Sequence, residues 1–205
     1  MTKAQKGAID NHGALYIVEP SESFTPHELF PEKGEVIVEI GSGMGEATAQ
    51  IAQALPENGF IAIEVHRPGI GSLILRAVQN EITNLKMINE DCHLILDLIK
   101  DESVDTFHIF FPDPWPKTKH RKRRLINDAF AEVLVKKLRP EGILRVATDW
   151  ADYARQIEDV LTRTKGLTGG ICPRPEWRPL TKFESQGIDK EHKVTDFLFV
   201  KRTSS

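Results

Sequence analysis

Residues 36–55 read Val-Ile-Val-Glu-Ile-Gly-Ser-Gly-Met-Gly-Glu-Ala-Thr-Ala-Gln-Ile-Ala-Gln-Ala-Leu. An apolar run interrupted only by Glu39 enters a glycine turn, and an amphipathic stretch follows. This predicts a strand over Val36–Ile40 and a helix near Ala47–Leu55. The same rhythm recurs downstream. Strands are expected at Phe60–Val65, Leu85–Ile88, Thr106–Phe111 and Ile143–Ala147, and helices near Ile70–Gln79, His93–Ile99, Leu125–Leu138 and Tyr153–Thr162. Strands alternating with helices at this spacing make βαβ units, hence an α/β, doubly wound, mostly parallel sheet. Strands apolar on both sides fit a sheet covered on both faces.

Outside that stretch the pattern weakens. Residues 1–33 are polar and carry Pro20, Pro26 and Pro31, which reads as an irregular N-terminal arm before a single domain over 34–205. After Lys165, Gly166, Gly169, Gly170, Pro173, Pro175 and Pro179 break the chain, and Val194–Val200 reads as an antiparallel strand added at the sheet edge. A length of 205 residues suits one domain whose core needs no disulfide or metal staple. Cys92 and Cys172 form no framework, which makes a reducing cytoplasm the expected compartment. There is no apolar run long enough to span a membrane.

The glycine turn differs from the dinucleotide fingerprint. Gly41, Gly43 and Gly45 are spaced G-x-G-x-G, Glu39 precedes them inside the strand, and Glu64 ends the next strand. In nucleoside-binding α/β folds an acid at that second position accepts ribose hydroxyls. No Lys-Ser/Thr follows, so the turn is not a P-loop. Carboxylates beside it would repel a pyrophosphate and suit a cation. S-adenosylmethionine, with a ribose, an ammonium, a sulfonium and no phosphate, meets those terms. Asp91 either reaches the adenine amino group of such a ligand or caps the helix that starts at Cys92.

Charge is distributed unevenly. The net charge is −3, but residues 117–124, Lys-Thr-Lys-His-Arg-Lys-Arg-Arg, hold six cations and no acid. Without those six the chain has 21 basic against 30 acidic residues, a balance of −9. Such a patch on an acidic body suits a specific polyanion, with a solvated helix start as the plainer alternative. It directly follows Phe110-Phe111-Pro112-Asp113-Pro114-Trp115-Pro116 at the end of the fourth strand, where doubly wound sheets place ligands. The prolines stiffen that turn, and Trp115 offers a stacking surface beside a phosphate-binding run.

The residues Phe-Phe-Pro-Asp-Pro-Trp-Pro-Lys with the downstream Lys-Arg-Arg resemble the signature of bacterial tRNA (guanine-N7-)-methyltransferases. So do Val38-Glu39-Ile40-Gly41-x-Gly43-x-Gly45, Glu64-Val65-His66, Ala147-Thr148-Asp149-Trp150 and Thr181-Lys182-Phe183-Glu184. The matches run in family order from about residue 36 to 200. The resemblance implies a Rossmann-like S-adenosylmethionine-dependent enzyme that methylates N7 of a tRNA guanine, at position 46 of the variable loop. It implies cofactor contacts at Glu39, Gly41, Gly43, Gly45, Glu64, Asp91 and Asp113, with Asp113 also the catalytic acid. Lys117, Asp149, Thr181, Lys182, Phe183 and Glu184 match substrate-contacting positions. Asp149 would otherwise read as the N-cap of the helix through Tyr153. Lys119, Arg121, Arg123 and Arg124 are expected on the tRNA backbone.

Two departures stand out. Gln186 precedes Gly187 where relatives often carry Arg, and before residue 33 the arm holds only Lys3 and Lys6 as lysine or arginine. Enzymes of this kind are monomers or homodimers, and the sequence does not choose between them. Rival readings are a methyltransferase for another RNA or base, a nicotinamide-dependent oxidoreductase and a non-catalytic RNA-binding module. The glycine spacing and lack of a Tyr-x-x-x-Lys pair weigh against the oxidoreductase; Glu39, Glu64 and the glycine turn together weigh against a bare RNA binder. Cys92-His93, Cys172 and His192 lack metal-ligand spacing, so no metal site is expected. His66, His108 and His120 read as a turn residue, a strand residue and part of the basic run, and for Trp150 and Trp177 a packing role is an equal alternative to a site role.

Overall fold

The computed structural model describes residues 1–180 and 193–203. Five parallel strands, β1 (Val36–Ile40), β2 (Gly59–Ile63), β3 (Leu85–Ile88), β4 (Val104–Phe110) and β5 (Leu138–Thr148), are joined by helices. The sheet is completed by β6 (Leu167–Cys172) and β7 (Thr195–Lys201), in the order β3-β2-β1-β4-β5-β7-β6. Because β4 lies beside β1 rather than beyond β3, the connections leave the carboxyl ends of β1 and β4 in opposite directions. That switch point opens a crevice.

The helices are α1 (Lys3–Tyr16), α2 (Glu46–Ala54), α3 (Arg67–Gln79), α4 (Cys92–Leu98), α5 (Asp128–Lys137) and α6 (Ala151–Arg163). One face of the sheet, through Ile37, Phe60, Ala62, Leu85 and Met87, packs on α1, α2 and α3. The opposite face, through Val36, Val38, Ile61, Ile63, Phe107 and Ile109, packs on α4, α5 and α6. Every residue of β1 and β2 is buried, Glu39 included, as a sheet covered on both faces requires of sequences otherwise wholly apolar.

Three expectations are corrected. The N-terminal arm is not irregular: α1 begins at a capping box, with the Gln5 amide donating to Thr2 Oγ1 (3.2 Å) and the Thr2 amide to Gln5 Oε1 (2.7 Å). Its polar composition hid the helix, and all three prolines lie beyond its end. Tyr16 closes it by donating to the Ile82 carbonyl (3.0 Å), and the Val18 amide then donates to Met87 on β3 (2.9 Å). Second, the antiparallel addition at the far edge is a pair of strands. β7 lies between β5 and β6, antiparallel to both, because the glycine-rich stretch after Lys165 pairs through its backbone despite lacking a strand-like pattern. Third, the plainer alternative for the basic run, a helix start, fails for α5. Residues Thr118–Arg123 form a separate 3-10 helix, and α5 begins at an Asn127 cap that accepts from the Phe130 amide (3.1 Å).

At the amino-terminal edge, buried Asp105 on β4 accepts from the Val36 amide (2.8 Å), His27 Nε2 (2.6 Å) and Arg139 Nε (2.5 Å). This junction ties β1, β4, β5 and the arm together at the end away from the crevice. Asp105→Ala should therefore cost about 1–3 kcal/mol in urea unfolding, chiefly because the buried Val36 amide loses its acceptor while His27 and Arg139 can still reach water. A loss under about 1 kcal/mol would show that the junction holds little.

Candidate functional site

The glycine turn after β1 has φ of +81° at Gly41, +57° at Gly43 and +74° at Gly45, a region that strongly favours glycine. A Cβ at Gly41 or Gly43 would stand in open space, so the core does not demand glycine there; the turn and the cleft above it do. The turn is tied down from β2. The Gly41 amide donates to the Ile63 carbonyl (2.9 Å), and the Gly43 amide to Glu64 Oε2 (2.7 Å). Glu64 Oε1 accepts from the His66 amide (2.7 Å). Two supports escaped the sequence reading. Gly69, at the start of α3, would place a Cβ 2.1 Å from the Gly43 carbonyl, so only glycine permits this approach. Asn89, at the end of β3, donates to the carbonyls of Glu64 (2.7 Å) and Val65 (3.2 Å). Gly69 and Asn89 carry no motif spacing by which a single sequence would flag them.

A cleft of about 640 Å³ opens over this turn. Its walls include Gly41, Gly43, Glu64, Asp91, Asp113, Trp115 and Arg123, so the expected cofactor acids of β2, β3 and β4 converge with the tryptophan and one base of the cationic run. Glu39 and Gly45 do not line it. Glu39 is 4 % exposed within β1, with Ala62 and His108 as its neighbours in register on either side. Burial pushes its carboxyl up from an ordinary 4.5 to about 7, with the Thr48 hydroxyl pulling it partly back and the Glu64 charge adding to the rise. Asp91 occupies the cleft wall and also caps α4, accepting from the His93 amide (2.8 Å). The cap is thus formed, and the carboxylate still borders the cleft.

The Asp91, Cys92 and His93 ligand atoms lie within 4.8 Å of one another. Their arrangement is that of a helix start, and burial with the Asp91 charge pushes the Cys92 thiol up to about 11, leaving it protonated. His108 is buried as well; burial and the Arg145 charge hold it down to about 3, so it is a neutral strand residue. It stacks on Trp177 (5.1 Å between centroids, 13° between planes), and the Arg145 guanidinium lies 5.3 Å from the same indole centroid. Of the two readings left open for Trp177, the structure shows the packing one.

The turn after β4 is strained at both ends: Phe111 has φ +52° and Trp115 φ +43°, each directly before a proline. Asp113 projects from it, exposed. The Arg123 guanidinium lies 4.9 Å from the Trp115 ring centroid and His120 meets the ring edge-on, so one face of the expected stacking surface already carries a cation. Lys117, Lys119, Arg121 and Arg123 are exposed on the 3-10 helix and its cap, as a polyanion contact needs. Arg124 is the exception and is corrected. It is 2 % exposed and turned inward, because its guanidinium is held by groups of α6 and the turn, so it is withdrawn from the expected backbone contacts.

Asp149 follows β5 at the same carboxyl edge. The residue capping α6 is Trp150, so Asp149 is not that helix's N-cap. Thr181, Lys182, Phe183 and Glu184, together with Gln186 and His192, lie outside the described residues. The segment that leads to them is fixed by Arg178, which is fully buried, makes a two-pronged pair with Asp196 on β7 (2.8 and 2.9 Å) and lies 5.6 Å from the Phe111 ring centroid. Sequence patterning gave no sign of either buried arginine.

Glu39 yields a pH test. A carboxyl whose pKa is raised on folding contributes stability that is complete below its unfolded value and is lost as pH rises through the folded one. The unliganded protein should lose stability relative to Glu39→Gln between about pH 4.5 and 7. Urea midpoints of the two proteins across that range check this; a constant difference would mean that Glu39 titrates normally.

Comparison with known proteins agrees with this geometry. Residues 33–197 match the family model described as "Putative methyltransferase". The chain is 47 % identical over 178 residues to a tRNA (guanine-N(7)-)-methyltransferase of Nitrosospira multiformis, covering 85 % of this chain and 78 % of that one. It is 39 % identical over 209 residues to the protein of the same name from Francisella tularensis subsp. novicida, covering 98 % and 90 %. Among solved structures, the 16S rRNA (adenine(1408)-N(1))-methyltransferase of Catenulisporales acidiphilia superposes with a TM-score of 0.60 at 14 % identity, covering 88 % of this chain and 93 % of that one. That likeness establishes the shared fold. A sheet in this order, a cleft at its switch point and identities of 39–47 % over most of the chain lead to one conclusion: the chain belongs to the tRNA (guanine-N(7)-)-methyltransferase family.

Proposed function

We propose that this protein transfers a methyl group from S-adenosylmethionine to N7 of a guanine in tRNA, with position 46 of the variable loop as the target. The observation that carries the reading is the convergence, in one cleft, of an acid-rimmed glycine turn with Asp113, Trp115 and the exposed cations beyond them. The cleft volume lies in the range of small-molecule sites. Gly41 and Gly43 leave it unobstructed, Glu64 keeps lone pairs for ribose hydroxyls, and Asp91, on the cleft wall, is assigned to an adenine amino group. These residues fit a cationic nucleoside and would hold it, with Glu39 contributing negative charge from below. Bound there, S-adenosylmethionine supplies an electrophilic methyl on a sulfonium.

Guanine N7 offers an in-plane lone pair and needs no deprotonation before it attacks. The protein's task is therefore alignment and a matching field. Holding two reactants in line accounts for as much as roughly 7–11 kcal/mol of a barrier. Asp113 accepts base N–H groups and its charge steadies the cation that develops on the base. Trp115 holds the ring plane, with Arg123 on its other side. Lys117, Lys119, Arg121 and Arg123 take phosphates, and Asp149 with Thr181, Lys182, Phe183 and Glu184 completes the substrate contacts.

Two measurements test these roles. Asp113→Asn should lower single-turnover methyl transfer to tRNA by about 10²–10³-fold, on the scale of losing one electrostatic stabiliser, while the affinity for S-adenosylmethionine stays within about threefold; near-normal transfer would remove Asp113 from the chemistry. Replacing Arg121 and Arg123 by Gln should weaken tRNA binding and shrink the slope of log affinity against log salt by about one for each lost contact. An unchanged slope would place the tRNA elsewhere.

A further inference from the structure

Arg124 stands at the end of a cationic run, yet its whole fork points inward. Nε donates to the Pro114 carbonyl (2.8 Å), Nη1 to Gln156 Oε1 (2.8 Å) and Nη2 to Asp152 Oδ2 (2.6 Å), while the guanidinium covers the Tyr153 ring at 4.8 Å. Asp152, Tyr153 and Gln156 all belong to α6, so one side chain spans from that helix to the residue after Asp113. The neighbouring backbone is fastened to the same helix: the Ile126 amide donates to Tyr153 Oη (2.9 Å) and Gln156 Nε2 to the Ile126 carbonyl (3.0 Å). Asp152 has a second partner in the exposed Arg121 (3.1 Å), which places the outer basic surface one carboxylate away from the brace.

The brace is aimed at a strained place. Phe111 and Trp115 both adopt positive φ immediately before prolines, costly conformations that persist only where surroundings enforce them. Prolines offer no amide donors, so the turn can be held mainly through its carbonyls and rings. Arg124 takes the carbonyl of Pro114, between Asp113 and Trp115. A buried ionic cluster is not the economical way to stabilise a core, since apolar groups of similar volume often do as well. What the planar guanidinium adds is direction, because three acceptors are met at once in fixed geometry.

We propose that Arg124, oriented by Asp152 and Gln156, is a positioning residue that sets the placement of Asp113 and Trp115 for methyl transfer, and that it is not a tRNA ligand. The inference rests on the methyltransferase reading above. Its mark is a loss in kcat with little change in binding, because the phosphate-binding cations and the glycine turn stay where they are and only Asp113 and Trp115 lose their register.

The test is steady-state kinetics and melting of the full-length protein with tRNA and S-adenosylmethionine, for wild type, Arg124→Lys, Asp152→Asn and Gln156→Leu. Lysine keeps the charge and loses the fork. Arg124→Lys should lower kcat by about 10–100-fold, the scale expected when a reacting group is misplaced by about 1 Å. KM for tRNA and the dissociation constant for S-adenosylmethionine should move by less than about threefold. The α6 variants should show the same pattern more weakly, and they carry the test if Arg124→Lys does not fold. A kcat within twofold of wild type in every folded variant, with only a lower melting temperature, would make the brace mere packing and overturn the proposal. A raised KM for tRNA at unchanged kcat would overturn it too, by making Arg124 a phosphate ligand. Wild type that forms no 7-methylguanosine would instead defeat the underlying reading, so the two failures are distinct.

Discussion

Glu39 sits inside β1, the middle one of the five parallel strands, with Ala62 on one side and His108 on the other, and it is 4 % exposed. A carboxylate in that position is costly, and its pKa, raised to about 7, expresses the cost. Everything above it follows from how the chain turns at the end of that strand. Gly41, Gly43 and Gly45 take left-handed conformations, Gly69 lets α3 press against the turn, and Glu64 fastens it from the next strand. The result is a negatively biased floor beneath an open cleft, suited to a cation and ill suited to a phosphate chain.

The opposite wall is built on different principles. The turn after β4 holds a conformation that its own sequence disfavours, and two arginines without solvent exposure steady it. Arg124 does so from α6, and Arg178 lies over Phe111 while paired to Asp196 of β7. Exposed cations of the neighbouring 3-10 helix face outward. Acidic floor, rigid proline turn and cationic rim stand in that order, which explains how a chain of net charge −3 can serve a polyanion. The two charge systems are separated in space and meet at Asp113.

Much of this was legible in the sequence, and the omissions have physical causes. β1 and β3 end where their apolar runs end, because two-sided burial forces a simple pattern, and the glycine spacing marked the turn directly. The N-terminal helix was hidden because α1 has a weakly amphipathic, polar sequence whose order comes from a capping box and close packing against α3, where a Cβ at Gly71 would stand 2.7 Å from the Gln5 carbonyl. Arg124 was misread because six neighbouring cations look alike in a string of letters. Only the fold shows that one of them faces Pro114, Gln156 and Asp152. Asn89 and Gly69 act through backbone carbonyls far from them in sequence, which no local pattern records.

The central claim is that the acidic cleft and the basic rim act on one base in one RNA. Incubating the protein with unfractionated tRNA lacking the modification and with methyl-labelled S-adenosylmethionine, followed by digestion to nucleosides, addresses it most directly. The account predicts label in 7-methylguanosine alone, arising from the variable loop. Label in another nucleoside, or none in tRNA while the donor still binds, would contradict it.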